Sequence, residues 1–229
     1  MFHRRLTPAE RIGLSLSLAT GLYGVSFGAL AVTAGLTIWQ AMALSLLMFT
    51  GGSQFAFIGV VGAGGSGAAA FGAASLLGVR NAVYGMQLNR LFAPRGWRRL
   101  AAAQLTIDES TAAATGQRDP AEQRRGFLCA GVGVFVAWNF FTAVGALAGD
   151  LLGDPKRWGL DGAAVAAFLA LLWPRLRGRE PVALAMACAL ATIVALPLVP
   201  AGVPILVAAA VATAWALLRR APVQPEAGG

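Results

Sequence analysis

The residues able to do chemistry here are an arginine in an apolar run, three carboxylates, and a glycine pair flanked by hydrogen-bonding side chains. Arg80 lies in Gly78-Val79-Arg80-Asn81-Ala82-Val83-Tyr84-Gly85, and the glycine pair in Phe49-Thr50-Gly51-Gly52-Ser53-Gln54-Phe55. The carboxylates are Asp108, Glu109 and Asp161. Paired glycines weaken a helix, and irregular backbone at bilayer depth survives only where protein or a water-filled cavity satisfies it. A broken helix can bind a solute, because a free half-helix N-terminus attracts a carboxylate and free carbonyls accept an ammonium group. The alternative is that the glycines permit close packing while Gln54 pairs with a neighbouring helix. Arg80 would hold a substrate carboxylate or form a structural ion pair with one of the three acids. One of those acids could instead titrate and couple transport to protons, since burial favours the neutral carboxyl. The candidate substrate-binding set is therefore Thr50, Gly51, Gly52, Ser53, Gln54, Arg80, Asn81 and Tyr84. The candidate ion-coupling set is Asp108, Glu109 and Asp161.

Other chemistries lack their residues. There is no phosphate-binding loop with its Lys, no nucleophile elbow and no metal-ligand spacing, so no catalytic residue, metal or cofactor is expected. The one histidine, His3, sits near the N-terminus, and Cys129 and Cys188 lie far apart inside apolar segments, as small buried hydrophobes do. An intramembrane enzyme acting on lipid would need an acid/base cluster facing the headgroups, which only Asp108-Glu109 approaches. A non-transporting scaffold would need no polar groups at bilayer depth, and this chain has several.

The elements that position these residues are apolar stretches. They run over 12–35, 39–61, 68–91, 126–149, 159–173, 181–197 and 203–218. The 229 residues are 57% hydrophobic and 12% charged, against about 25% charged in soluble domains, and mean hydropathy is +0.67. A crossing helix takes about 20 apolar residues. The chain reads as an all-α, polytopic membrane protein: one transmembrane domain over 1–220, about seven spans with broken or re-entrant segments, and a disordered tail over 221–229. The net charge of +8 comes from Arg residues between the apolar runs, which points to anionic lipid as a partner and away from nucleic acid.

In the second half, basic and non-basic loops alternate so as to place the C-terminus in the cytoplasm. The first half admits two schemes. If Leu100 to Gly116 does not cross, there are seven spans with the N-terminus outside; if it crosses, eight with the N-terminus inside. Loop charge does not separate them. Gln104, Asp108 and Glu109 are expensive in lipid, which favours a re-entrant half-helix and seven spans. Gly28-Ala29-Leu30-Ala31 recurs as Gly145-Ala146-Leu147-Ala148. With seven spans these would run in opposite directions, as in the inverted repeats of secondary transporters. The Gly-xxx-Gly patterns at Gly24–Gly28 and Gly145–Gly149 read as packing seams. Trp138, Asn139 and Thr142 add a polar patch.

Taken in order, FTGGSQFAFI at 49–58, RNAVYG at 80–85, TIDES at 106–110, GALAG at 145–149 and GLD at 159–161 resemble the AzlC family, the larger subunits of branched-chain amino-acid exporters. The resemblance runs from about Gly21 to Trp173 and beyond in hydropathy. It implies a permease exporting valine, leucine, isoleucine and methionine, or toxic analogues, across a bacterial inner membrane. It also implies a small AzlD-type membrane subunit as partner and an ion gradient as driving force. A transporter or channel for another small polar solute is the alternative. The family often has His after the Arg where Asn81 stands, which removes a proton role there. It usually has an aromatic residue after the Asp, where this chain has Gly162. Both departures bear on substrate choice.

Overall fold

The computed structural model describes residues 6–152, 157, 169, 172–173, 176–200 and 202–219. The stretch 159–173 with Asp161 and Gly162, and the tail 221–229, therefore lie outside the described residues, wholly or nearly so. Among the described residues the helices are α1 (Pro8–Thr33), α2 (Ile38–Leu47), α3 (Gly52–Gly62), α4 (Gly67–Phe92), α5 (Trp97–Gln104), α6 (Asp108–Thr115), α7 (Pro120–Leu152), α8 (Arg179–Ala195) and α9 (Val203–Leu218). Every regular element among the described residues is helical, one of the two backbone designs that satisfy themselves where no water does. Helices α1 and α7 are each long and apolar enough to cross a bilayer.

Helices α1 and α7 form the spine. Gly13 packs on Cys129 and Ala130, Gly21 on Ala137, Gly24 on Trp138, Gly28 on Thr142 and Ala146, and Gly149 on Ala29. The paired numbers rise together, so the two helices run parallel in close contact. Small residues allow this approach: a Cβ at Gly28 or Gly145 would collide with the facing backbone. The seam reading of the Gly-xxx-Gly patterns is thereby met. The expectation that Gly28–Ala31 and Gly145–Ala148 run oppositely is corrected, because they lie side by side in one direction.

The second apolar stretch does not cross. Descending from the C-terminal end of α1, α2 sets Ser45 beside Thr142 and leads to Phe49, edge-on to Phe135 at 5.0 Å. The chain then turns, and α3 climbs back until Gly62 meets Ala34. Each arm has 10 or 11 residues, about 15 Å at 1.5 Å per residue, half of a ~30 Å hydrocarbon core. Thr37 caps α2 reciprocally with Gln40, and Gly51 at φ +59° makes the turn that a β-carbon would oppose.

Helix α4 runs back the full depth to Phe92, which packs on Phe127. From that end α5 climbs inward, the chain turns at 105–107, and α6 descends past Gly131 and Gly126. The segment Leu100 to Gly116 is thus re-entrant, as its polar content suggested. Helices α1 and α4 have 26 residues each, and each is followed by a hairpin of two half-length helices. The units 8–62 and 67–115 enter from opposite ends, an inverted repeat in a different register from the one the Gly-Ala-Leu-Ala echo suggested.

Helices α8 and α9 form an outer pair. Gly202 packs against Val60 and Ala69, and Arg219 lies 3.6 Å from Glu180 at the far end. One end of the molecule gathers Arg90, Arg95, Arg98, Arg99, Arg118, Arg124, Arg125, Arg177, Arg179 and Arg219. The described connections at the other end, 34–37, 63–66 and 196–200, contain no Lys or Arg.

Candidate functional site

The tips of the two hairpins meet at half depth, and α4 holds both. Arg80 Nη2 donates to the Thr50 carbonyl at 3.1 Å, and Asn81 Nδ2 to the Thr106 carbonyl at 3.0 Å. Thr50 precedes the first residue of one tip cap and Thr106 that of the other. Both caps use the same device. The Gly51 N–H donates to Gln54 Oε1 at 3.0 Å, and the Ile107 N–H to Ser110 Oγ at 3.1 Å. One N–H at each helix start is thereby satisfied.

Arg80 also pairs with Asp108, Nη2 to Oδ2 at 2.8 Å. The other oxygen, Asp108 Oδ1, accepts from Tyr84 Oη at 2.7 Å. Gly52 makes room for this, since a Cβ there would stand 2.8 Å from Arg80 Nη2. Glu109, one residue further, accepts from Thr20 Oγ1 at 3.1 Å. Above the ion pair sits an aromatic layer: Tyr23 is edge-on to Trp138 at 5.0 Å, and Phe27 lies 5.6 Å from Phe55. Between layer and ion pair is a small cavity of about 10 Å³, bordered by Tyr23, Thr50, Gly51, Arg80, Asp108 and Glu109 among others. That is room for about one water.

Thr50, Gly51, Gly52, Ser53, Gln54, Arg80, Asn81, Tyr84, Asp108 and Glu109 therefore converge on one region, drawn from α3, α4, α6 and the two tips. Asp161 lies outside the described residues. Their roles differ within the cluster. Gln54 is fully buried and spends both ends of its amide on backbone, taking the Gly51 N–H and donating from Nε2 to Leu44 O at 3.1 Å. It fixes the hairpin's shape. Gln104 does similar work between hairpins, donating to Leu46 O at 2.7 Å. By contrast Thr50 Oγ1, Ser53 Oγ, Arg80 Nε and Trp138 Nε1 are buried with no partner among the described residues. Unmet polar atoms are uncommon in folded interiors, and Thr50, Arg80 and Trp138 border the cavity.

The sequence reading missed Thr20 and Tyr23. Their signal is slight: they are two hydroxyls at i, i+3 in a helix that also carries Ser15, Ser17, Ser26 and Thr33. Trp138 was visible as part of a polar patch, without its place in the aromatic layer.

An AzlC protein family model matches residues 15–152, which ends where α7 ends and spans both hairpin units. The chain is also similar to an uncharacterized membrane protein of Archaeoglobus fulgidus, 34% identical over 157 residues, covering 68% of each chain. No solved structure matches.

Proposed function

The chain belongs to the AzlC family, a family associated with membrane transport, and from that premise we propose that it is a secondary transporter exporting branched-chain amino acids. Valine, leucine, isoleucine and methionine are the proposed cargo, the bacterial inner membrane the proposed location, and a small AzlD-type membrane subunit the proposed partner. The observation that carries the reading is the meeting of two oppositely entering hairpins at a buried arginine–carboxylate pair. A zwitterion offers what each half of that pair already binds. Its carboxylate can take Arg80 from Asp108, assisted by the N-terminus of α3 at Gly52, and its ammonium can take the freed acid.

The arrangement also supports alternation. A cavity of about 10 Å³ is far smaller than the ~300 Å³ of a small-molecule pocket, so a hairpin must move to admit a solute. The two hairpins approach from opposite ends, so displacing one or the other opens the site to one side at a time, as inverted repeats do. Basic loops stay in the cytoplasm, so on this reading the arginine-rich end, from which α1 starts, lies inside; that reverses the outside start expected with seven spans, because 39–61 turns back instead of crossing.

The test is efflux of labelled valine from vesicles holding this chain, with and without the small partner and a proton gradient. Gradient-dependent efflux competed by unlabelled leucine is the expected result. No efflux under any condition, from folded protein, overturns the reading.

A further inference from the structure

A groove opens at the arginine-rich end, between the α4–α5 connection and the start of α7. Its outer part has a volume of about 800 Å³ and is bordered by Arg95, Arg98 and Arg124 together with Phe92, Phe127 and Leu128. Its inner part, about 280 Å³, runs between α4 and α5 past Leu88, Ala102 and Ala103 to Ala82 and Thr106. The two parts adjoin, since Phe92, Pro94, Ala102 and Phe127 border both. From Asn89 to Ala82 the inner part follows α4 for about 10 Å at 1.5 Å per residue. Among the described residues no carboxylate lies within ion-pair distance of Arg95, Arg98 or Arg124, the arginines so paired being Arg80, Arg125 and Arg219. The Arg98 guanidinium instead lies 6.0 Å from the ring of Trp97, an indole that is 74% exposed, as interfacial tryptophans are. Orientation in the membrane asks only for basic loops. It does not ask three uncompensated arginines to border one space with apolar walls.

We propose that this groove binds one anionic phospholipid, its phosphodiester held by Arg95, Arg98 and Arg124 and one acyl chain laid in the inner part between α4 and α5. Guanidinium forks match phosphate oxygens, and a cleft lined by one sign of charge over low-dielectric walls concentrates the opposite ion. Basic pockets between helices at a membrane surface take lipid headgroups for these reasons. A free phosphate would leave the apolar inner part unused, and a choline headgroup would bring its own cation to the three arginines. Asn89 and Arg99, which border the inner part, are donors suited to the glycerol ester carbonyls. The chain would lie against α5, the first arm of the hairpin whose tip is Thr106. The site is independent of the transported solute and stands or falls apart from the transport reading.

The test uses the full chain in an uncharged detergent at about 0.15 M salt, where exposed charges are screened beyond ~8 Å. The probes are dioctanoyl-phosphatidylglycerol, dioctanoyl-phosphatidylcholine and glycerol phosphate, and ligand-dependent thermal unfolding reports binding. Phosphatidylglycerol should stabilise the wild type saturably, and the other two should not. Arg95→Gln, Arg98→Gln and Arg124→Gln combined should weaken its binding at least about tenfold, the scale of one lost charged hydrogen bond. Removing as much charge elsewhere at the same end, by Arg90→Gln, Arg118→Gln and Arg177→Gln, should change it less than about twofold. Ala103→Trp fills the inner part and should weaken it at least about threefold, as for roughly one methylene left unburied. If the groove triple does not fold, Arg124→Gln and Ala103→Trp carry the same comparison. Equal losses from the two triple variants would show diffuse attraction and overturn the site. Equal shifts from the two lipids, or from glycerol phosphate and phosphatidylglycerol, overturn it too. No lipid shift, with the groove triple instead losing association with a second copy or another membrane subunit, gives the groove to a protein and overturns the lipid.

Discussion

Thr50 and Thr106 occupy the same place in two hairpins that enter the protein from opposite ends, and neighbouring side chains of α4 hold their carbonyls. Arg80 takes one at 3.1 Å and Asn81 the other at 3.0 Å. One helix therefore clamps both tips, and the clamp includes the only ion pair among the described residues that lies at this depth. A change in the bonding of Arg80 is felt directly by the first tip through Thr50 and by the second through Asp108.

Removing both members of that pair should cost less than the two single removals added together. Arg80→Ala leaves Asp108 partly buried with Tyr84 alone, at a cost of about 3 kcal/mol, the low end for a broken buried pair. Arg80→Ala with Asp108→Ala should be less destabilised than the sum of the single changes by ~1–3 kcal/mol, as contacting residues couple. Thermal midpoints of the four proteins in one detergent check this, and valine efflux should be lost in all three variants. Additive midpoints would show that the contact does not hold the clamp.

Gly52→Ala should damage transport without unfolding the protein. Its new Cβ would press on the end of the Arg80 guanidinium, a flexible group that can shift, so the fold survives while the positioned cation moves. Misplacement by about 1 Å can cost about a hundredfold where geometry matters, and a loss of at least about tenfold in valine efflux is expected. Gly72→Ala is the control, since nothing lies within 4 Å of its Cβ and alanine favours a helix. Equal efflux from the two variants would remove Gly52 from the site.

The membrane class and most of the site were legible because they rest on local chemistry. Arg80, Asp108 and the Thr50–Gln54 break each violate the expected pattern for lipid, and such violations mark positions that need partners. The course of the chain between them was less legible. Trp39 to Val61 has the length and hydropathy of a crossing helix, and only the positive φ of Gly51 and the capping by Gln54 fold it back. The repeat was sought in the four identical residues at 28–31 and 145–148, which are alike because both face the same tight seam. The repeat that orders the fold shares little beyond Thr50 and Thr106, since it is a likeness of lengths and caps. Thr20 and Tyr23 gained meaning only when α6 was placed beside them.

The parallel course of α1 and α7 makes a covalent prediction. In a Cys188→Ser background, Gly13→Cys should form a disulfide with the native Cys129 under mild oxidation. A Cβ at position 13 lies close to both the Cβ and Sγ of Cys129, slightly tighter than the ~3.5–4.5 Å of an ordinary disulfide, so a small shift suffices. Were the helices antiparallel, the two thiols would lie near opposite ends of a 26-residue helix, about 39 Å long at 1.5 Å per residue. Loss of both free thiols in the intact monomer is the expected result. Persistence of both would refute the parallel spine.

Orientation is the remaining consequence of the two-hairpin design. Because neither hairpin crosses, α1, α4 and α7 alternate in direction while the chain between them returns to the end it left. That collects Arg90 to Arg125 on the same end as the start of α1, and leaves 34–37 and 63–66 without a basic residue on the other. Positive loops resist translocation, so Arg95→Cys should react with a membrane-impermeant maleimide only after the cytoplasmic face is opened. Ser66→Cys should react in intact cells. Both cysteines reacting from one side would mean that α4 does not cross, and the inverted pairing of 8–62 with 67–115 would fall with it.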